Sequence, residues 1–521
     1  MSKTAAMVAT TLDHLESVGI IDYVLCAGAR NAPLVAALTQ TAGVSGLRLW
    51  HHFDERTASF YALGLAKRNG RPVAVLTTSG TAAAELLPAA VEAYYSAVPL
   101  VLVTADRPPR FRGSGAPQSI EQVGLFGIYA SILIDAQREE DFAEIASWDQ
   151  GGPLHLNVCL EEPEIEIGHA PRPRLPKRES TTVKPEASPE LRSEFAAWFA
   201  DMNQSIVMLG ELPESWREAV ADFLLRTRLP FWAEATSGLR EDSRLATQAL
   251  RSERDLAAIP VARVCRIGGV PSCRFWRDLE TKPQVAVLSI SPRPWSGLAR
   301  SSTCLVSAAF PKAHSVPAGR EPSVTSQALR LEELLKRLPA SEPALLRKLS
   351  EMIPSSALVF LGNSLPIREW NLAASLDHPH PHCRANRGAN GIDGEVATFL
   401  GLACDETEAW GIFGDLTALY DLNAPALLVQ MPPGQRRIVV LNNGGGRIFA
   451  RLPALARLDE RARVITENRH RVRFEAWAEL WGLAYVRWPA HEPMPDLPPG
   501  DLVLEVVVDQ ETSEAFWQEW Q

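Results

Sequence analysis

The chain lacks the features that mark secreted, disulfide-bonded or membrane-spanning proteins. Only seven cysteines occur among its 521 residues, and none belongs to a Cys-x-x-Cys pair, so we expect reduced thiols. The first residues contain no apolar signal-peptide segment, and no apolar run is long enough to cross a bilayer. We therefore expect a cytoplasmic protein without membrane insertion.

Nucleic-acid binding and nucleoside-triphosphate chemistry are also disfavoured. The formal net charge is -10 and the pI is near 5.7, which argues against nucleic acid as the main partner. No Gly-x-x-x-x-Gly-Lys-Ser/Thr segment occurs. The segment His378-Pro379-His380-Pro381-His382 lacks helix-type ligand spacing, and its prolines favour an extended surface loop over a metal site.

What the chain does contain is an alternation of short apolar runs and helix-like stretches, which is typical of α/β proteins. A length of 521 residues is too great for one core. We predict three doubly wound parallel-sheet αβ domains, at residues 1–168, 190–340 and 341–521, with a proline- and charge-rich linker at 169–189. The predicted strands are residues 23–26, 73–76, 100–103, 154–158, 206–209, 285–288, 357–360 and 502–508.

Two short motifs lie at the ends of two further predicted strands. Gly414-Asp415-Leu416 ends one apolar segment, and Asn442-Asn443-Gly444-Gly445 follows the next. The chain between them is long enough for one crossover helix, so both motifs would lie at the carboxyl ends of adjacent strands. The Asp415 carboxylate, the Asn443 amide oxygen and the Gly445 carbonyl are hard donors suited to Mg²⁺, with Mn²⁺ as the alternative. Taken singly, each motif is more often an ordinary turn than a ligand site, and the pairing across two strands reverses that preference.

This pair of motifs resembles the thiamine diphosphate (ThDP) signature, and a second segment agrees with it. Glu55 opens a predicted helix after an extended stretch. In ThDP enzymes a glutamate at such a place contacts N1′ of the aminopyrimidine ring and promotes loss of the thiazolium C2 proton. The alternative is that Asp54 and Glu55 only stabilise the helix N-terminus.

Longer stretches resemble one family, the 2-succinyl-5-enolpyruvyl-6-hydroxy-3-cyclohexene-1-carboxylate (SEPHCHC) synthases of menaquinone biosynthesis. The similarity is dense in the first and third predicted domains and weak in the middle one. It implies pyruvate decarboxylase-like architecture, with a pyrimidine-binding first domain and a diphosphate-binding third domain. The stretches are residues 26–34, 52–56, 78–82, 104–109, 115–118, 362–368, 386–394 and 447–449.

The resemblance implies a reaction and a set of site residues. The enzyme would decarboxylate 2-oxoglutarate and add the succinyl unit to isochorismate. Arginine suits these substrates, which carry several carboxylates, because its planar fork binds a carboxylate with two hydrogen bonds and stays charged. For a single arginine the alternative is a solvated surface side chain. Matching substrate and catalytic positions are Glu55, Arg30, Arg107, Gln118, Arg274, Ser364, Arg368 and Arg387. Matching cofactor positions are Asn363, Ile392, Gly414, Asp415, Leu416, Thr417, Asn443, Ile448 and Phe449, with Glu55 and the metal ligand Gly445.

The chain departs from the family pattern at three places. Ala29 stands where the family has a serine, Pro117 where it has an asparagine, and Gly444 where it has a third asparagine. The first two changes affect the acceptor side. The alternatives are therefore another ThDP-dependent 2-oxo-acid decarboxylase or carboligase, or a non-catalytic ThDP-fold binding protein. The family completes each site from two chains, which implies a homodimer or homotetramer.

Overall fold

A computed structural model describes residues 2–162, 187–312, 317–318, 327–452, 454–455 and 457–520. The contacts among these residues group into two compact units. The first unit takes its described residues from 1–181, 388–407 and 417–434, and the second from 182–387, 408–416 and 435–521. No helix in the described ranges is both long and apolar enough to cross a membrane.

The first unit contains one six-stranded parallel sheet in the order β2-β1-β3-β4-β6-β5. Its central strands are buried along their whole length, as expected for a parallel sheet that is covered on both faces. The strands are β1 (Asp22–Leu25), β2 (Arg48–His51), β3 (Val73–Thr77), β4 (Leu100–Asp106), β5 (Ile132–Ala136) and β6 (Leu154–Cys159). The helices are α1 (Lys3–Ser17), α2 (Ala32–Ser45), α3 (Glu55–Asn69), α4 (Thr81–Ala84), α5 (Leu87–Ser96) and, from later in the chain, α13 (Glu395–Leu402).

Two glycines explain why α13 belongs to the first unit. A methyl group on Gly64 of α3 would lie 2.2 Å from the Thr398 carbonyl oxygen, and one on Gly401 would lie 2.3 Å from the Tyr61 carbonyl oxygen. The two helices therefore approach each other more closely than any larger residue would permit. This contact joins segments that the sequence analysis assigns to the first and third domains.

The second unit contains two six-stranded parallel sheets. The first of them has the order β12-β11-β10-β7-β8-β9. Its strands are β7 (Ser205–Leu209), β8 (Phe231–Ala233), β9 (Ala249–Leu250), β10 (Arg263–Ile267), β11 (Ala286–Ser291) and β12 (Thr303–Val306). Its helices are α6 (Pro189–Trp198), α7 (Arg217–Thr227), α8 (Glu253–Ala258) and α9 (Arg274–Asp278).

The other sheet of the second unit has the order β14-β13-β15-β16-β18-β17. Its strands are β13 (Leu358–Leu361), β14 (Cys383–Arg384), β15 (Glu408–Gly414), β16 (Gln435–Asn442), β17 (Ala484–Pro489) and β18 (Leu502–Val507). The helices are α10 (Ala328–Arg337), α11 (Glu342–Met352), α12 (Leu365–Ala373), α15 (Glu460–Thr466), α16 (Glu475–Leu480) and α17 (Gln510–Trp520). Helix α14 (Asp415–Tyr420) begins in this unit and continues into the first.

The predicted class, three doubly wound parallel αβ sheets, is confirmed. The predicted adjacency of the two motif strands is also confirmed, because β15 and β16 pair in parallel with Gly414 opposite Leu441. The domain boundaries at 168, 189 and 340 stay a prediction, and most of the predicted linker lies outside the described residues. In the third sheet the strand order reverses between β13 and β15, which is where open α/β sheets bind ligands.

Candidate active site

Asp415 joins the two predicted motifs through direct hydrogen bonds. Its buried carboxylate accepts from the backbone N–H groups of Gly444 (2.7 Å) and Gly445 (3.0 Å) with one oxygen. The other oxygen accepts from the Leu416 N–H at 2.7 Å. Gly444 and Gly445 have φ values of 77° and 132°, which side chains disfavour. The turn after β16 is thus shaped by glycine and held by the predicted metal ligand.

Asn443 presents an unsatisfied oxygen beside this turn. The side chain is 6% exposed, and its amide nitrogen donates to both carboxyl oxygens of Glu342 at 3.2 Å. Its Oδ1 is buried and has no hydrogen-bond partner. Burial, followed by the charge of Glu369, raises the pKa of the Glu342 carboxyl well above its usual range. Glu342 therefore fixes which way the Asn443 amide faces.

These donors fit a hard divalent cation. An unpaired buried amide oxygen next to a carboxylate is costly unless a ligand completes it, and the Gly445 carbonyl, which accepts from the Arg447 N–H at 2.8 Å, retains a second lone pair. Within the described ranges no group of three or more His, Cys, Asp or Glu side chains could hold a metal. Beside the turn lies a cavity of about 220 Å³ lined by Glu342, Asn443, Arg447, Arg451, Gln510 and Trp517, among others.

Two predicted arginines lie near the carboxyl end of β13 and interact electrostatically. Arg368 donates to the Ser364 carbonyl at 2.5 Å, and Arg387 donates to the Asn363 side-chain oxygen at 2.9 Å. Ser364 has φ 71° and ψ -120°, a strained conformation for a residue with a side chain. Burial, and then the charge of Arg387, lowers the pKa of Arg368. Two cations that repel each other in this way favour an anionic ligand such as a carboxylate.

Glu55 is the first residue of α3 in the first unit, and Asp54 before it caps the helix. The Asp54 carboxylate accepts from the Thr57 N–H (3.1 Å) and the Asn423 side chain (3.1 Å). The helix-capping alternative therefore applies to Asp54. Burial, and then the charges of Asp54 and Glu85, raise the pKa of the half-buried Glu55 carboxyl. A carboxyl that holds its proton more tightly suits a hydrogen bond to a ring nitrogen.

Other predicted residues surround the carboxyl ends of strands in the first sheet. Arg107 follows β4 and donates to the Ser79 hydroxyl at 3.0 Å and the Gln118 carbonyl at 2.9 Å, so the structure brings Arg107 and Gln118 together. Arg30 follows β1 and is buried, donating to the carbonyls of Leu160 (3.1 Å) and Glu161 (2.7 Å). Much of the Arg30 guanidinium is therefore engaged within the protein.

The remaining predicted residues differ in their burial. Arg274, at the start of α9, is exposed and lies 3.4 Å from Asp278 one helical turn later. The surface-loop prediction for His378 to His382 is wrong for His380, which is buried against Trp370 with its Nε2 2.7 Å from the Ser350 carbonyl oxygen. Thr417 is buried, and Gly414, Leu416, Ile392, Ile448 and Phe449 are half-buried.

Comparison with known proteins shows the family to which the chain belongs. A family model for the N-terminal thiamine pyrophosphate-binding domain of thiamine pyrophosphate enzymes matches residues 5–125. SEPHCHC synthase of Bdellovibrio bacteriovorus is 39% identical over 99% of this chain and 98% of the relative. The enzyme of the same name from Akkermansia muciniphila is 40% identical over the same shares. The chain belongs to the SEPHCHC synthase family.

Membership makes the chain a ThDP-dependent transferase of menaquinone biosynthesis. A solved structure agrees in fold. The crystal structure of benzoylformate decarboxylase from Polynucleobacter necessarius matches with a TM-score of 0.71, covering 96% of this chain and 98% of that chain, at 14% identity. At that identity the likeness shows the fold alone.

Two buried acids of this SEPHCHC synthase family member were missed by the sequence analysis. Glu342 opens α11 after Ser341 and before Pro343, a pattern that indicates only a helix start. Glu234 follows the short strand β8 and pairs with Arg387 at 3.2 Å. Neither acid lies in a motif, so no signal in the sequence marks it.

Proposed function

We propose that the chain decarboxylates 2-oxoglutarate with ThDP and Mg²⁺ and adds the succinyl carbanion equivalent to isochorismate, giving SEPHCHC and CO₂. The observation that supports this most is the Arg368–Arg387 pair at the carboxyl end of β13. That strand pairs with β15, whose last residue precedes Asp415. A donor with a second carboxylate would thus find two cations beside the cofactor loop.

Each group of residues has a distinct proposed role. Asp415, Asn443 and Gly445 would hold Mg²⁺, while Asn363, Gly414, Leu416 and Thr417 would contact the diphosphate. Ile392 would prop the two rings of the cofactor, and Ile448 and Phe449 would line the acceptor side of it. When bound, ThDP supplies a nucleophilic carbon and an electron sink for decarboxylation. Glu55 would hold a proton at N1′ of the aminopyrimidine ring.

The donor and acceptor would meet different arginines. Arg368 and Arg387 would hold the distal carboxylate of 2-oxoglutarate. Arg30, Arg107 and Arg274 would meet isochorismate, and Gln118 and Ser364 would complete the substrate pocket. Ala29 favours one alternative, a ThDP carboligase with another acceptor, because it has no hydroxyl to donate where the family has one.

We also propose a homodimer or homotetramer in the cytoplasm. Phe53, Tyr420 and Val429 of the first unit are large apolar side chains that are 65%, 56% and 87% exposed, and a partner chain could cover them. Phe53 lies two residues before Glu55, so a partner that covered it would approach the proposed cofactor site. All seven cysteines lie in the described residues and are free thiols, as a reducing compartment leaves them. Sedimentation that shows a fully active monomer would contradict the assembly.

One assay tests the proposed reaction. The protein is incubated with ThDP, Mg²⁺, isochorismate and either 2-oxoglutarate or pyruvate, and products are measured by mass. We expect SEPHCHC and CO₂ with 2-oxoglutarate and little turnover with pyruvate. Release of CO₂ without an isochorismate adduct would contradict the proposed addition step and support only 2-oxo-acid decarboxylase activity. Equal turnover of 2-oxoglutarate and pyruvate would contradict the proposed role of Arg368 and Arg387 in binding the distal carboxylate.

A further inference from the structure

Glu234 is a buried acid that ties the sheet of strands β7 to β12, hereafter the middle sheet, to Arg387, a proposed donor-site arginine. It follows β8, is fully buried, and donates its backbone N–H to the Leu209 carbonyl at 2.9 Å. One carboxyl oxygen accepts from both the N–H and the hydroxyl of Ser272 at 2.8 Å. The same oxygen lies 3.2 Å from Arg387. A fully buried carboxylate is stable only when it is paired in this way.

Arg387 is held on two of its three nitrogens. One terminal nitrogen donates to Asn363 at 2.9 Å, and the other donates to Glu234 at 3.2 Å. The Nε–H is buried and has no partner, although the residue is only 5% exposed. A buried guanidinium N–H without an acceptor costs free energy that a ligand carboxylate would recover. The protein thus fixes the plane of the guanidinium and leaves one donor for a ligand.

Two nearby acids, Glu234 and Glu253, act against the repulsion between Arg387 and Arg368. Arg387 and Arg368 repel each other, which contributes to the lowered pKa of Arg368, while Glu234 and Glu253 act on Arg368 in the opposite direction. Glu253, at the start of α8, accepts from the backbone of Arg274 and Phe275 and makes no hydrogen bond to Arg387. Glu234 therefore offsets the repulsion directly at the arginine pair.

We infer that Glu234 is a positioning residue for donor selection: it orients Arg387 so that the pair of arginines recognises the distal carboxylate of the 2-oxo acid. This rests on the proposed function, in which Arg387 contacts that carboxylate. Glu234 itself would touch neither substrate nor cofactor. It would give the middle sheet an influence on which donor is decarboxylated.

The test compares two donors in the holoenzyme. Glu234→Gln keeps the size and the polarity of the side chain but removes its charge. We expect kcat/KM for 2-oxoglutarate to fall about 10–100-fold, mainly through KM, because Arg387 loses a charge-assisted bond. With pyruvate, which has no distal carboxylate, kcat/KM should change little. If Glu234 had a purely structural role, Glu234→Gln would lower kcat/KM for both donors by the same factor, and that result would overturn the inference.

Glu241→Gln is the matched control. Glu241 is a buried acid seven residues later in the chain, and it pairs with the buried Arg240 at 2.6 Å. Arg240 bonds to carbonyls of Asn371 and Ala374 and has no proposed contact with substrate. Loss of this pair should lower the melting temperature without changing the ratio of kcat/KM for 2-oxoglutarate to kcat/KM for pyruvate.

Further variants separate the failure of this inference from the failure of the proposed function. If the wild type shows no preference for 2-oxoglutarate, the proposed function fails at once. The preference is the ratio of kcat/KM for 2-oxoglutarate to kcat/KM for pyruvate. If the wild type has this preference and Arg387→Gln reduces it, the double variant Glu234→Gln/Arg387→Gln should have the same ratio as Arg387→Gln alone. A double variant whose loss equals the sum of the two single losses would overturn the inference. Should Glu234→Gln not fold, Ser272→Ala removes one bond to Glu234 and must narrow the preference by a smaller factor, and an unchanged preference would refute it.

Discussion

Substituting Asp415 by asparagine tests whether the two sequence motifs form one cofactor loop. The carboxylate accepts three backbone N–H groups, two from Gly444 and Gly445 on one oxygen and one from Leu416 on the other. Asparagine has the same shape but only one acceptor oxygen. If that oxygen keeps the two glycines, the amide nitrogen must face the Leu416 N–H.

The expected magnitude follows from this geometry. An N–H left without an acceptor in this partly buried site costs about 1–3 kcal/mol, so Asp415→Asn should lower the melting temperature by about 1–3 °C before any cofactor is added. Mg²⁺ would also lose its only carboxylate ligand. We therefore expect the affinity for ThDP with Mg²⁺ to fall by at least about tenfold, or 1.4 kcal/mol.

The assay is a titration of the apoprotein with ThDP at fixed Mg²⁺, followed by calorimetry, together with melting curves without cofactor. Asp509→Asn is the control, because Asp509 follows β18 and accepts from the Thr512 N–H at 2.7 Å but has no proposed metal role. It should lower stability and leave ThDP affinity unchanged. If Asp415→Asn binds ThDP and Mg²⁺ as the wild type does, the metal assignment is wrong.

Three further predictions concern other residues. Glu55→Gln should slow H/D exchange at thiazolium C2 by about 10²–10⁴-fold, and an unchanged exchange rate would assign this role to another group. Arg368→Ala should raise the KM for 2-oxoglutarate about 10–100-fold and narrow its advantage over pyruvate, as steady-state kinetics with both donors would show. Burial raises the pKa of Asp421 from 3.8 to about 6. Because the folded protein favours the protonated Asp421 carboxyl, its contribution to the free energy of unfolding is fully present below pH 3.8. This contribution, about 3 kcal/mol, is lost as the pH rises through about 6. Melting curves of Asp421→Asn should lack this part of the pH dependence.

The sequence predicted well wherever burial itself has a pattern. The runs at residues 73–76 and 100–103 are apolar on both faces because strands inside a covered parallel sheet have no face toward water. Asp415 and the Asn443 turn were predicted to meet because consecutive parallel strands leave their carboxyl ends side by side. These inferences need only strand order along the chain and the period of side-chain burial.

Contacts between distant segments were decided by the tertiary structure alone. Glu342 and Asn443 are 101 positions apart, and Glu234 and Arg387 are 153 apart. Each acid is placed by strand order and crossover direction, which no local pattern encodes. Gly64 and Gly401 likewise appear unremarkable in the sequence until α3 and α13 come together. Local pattern determined which residues are buried, and the packing of whole elements determined which buried charges meet, because a charge finds its partner only after the sheets have formed.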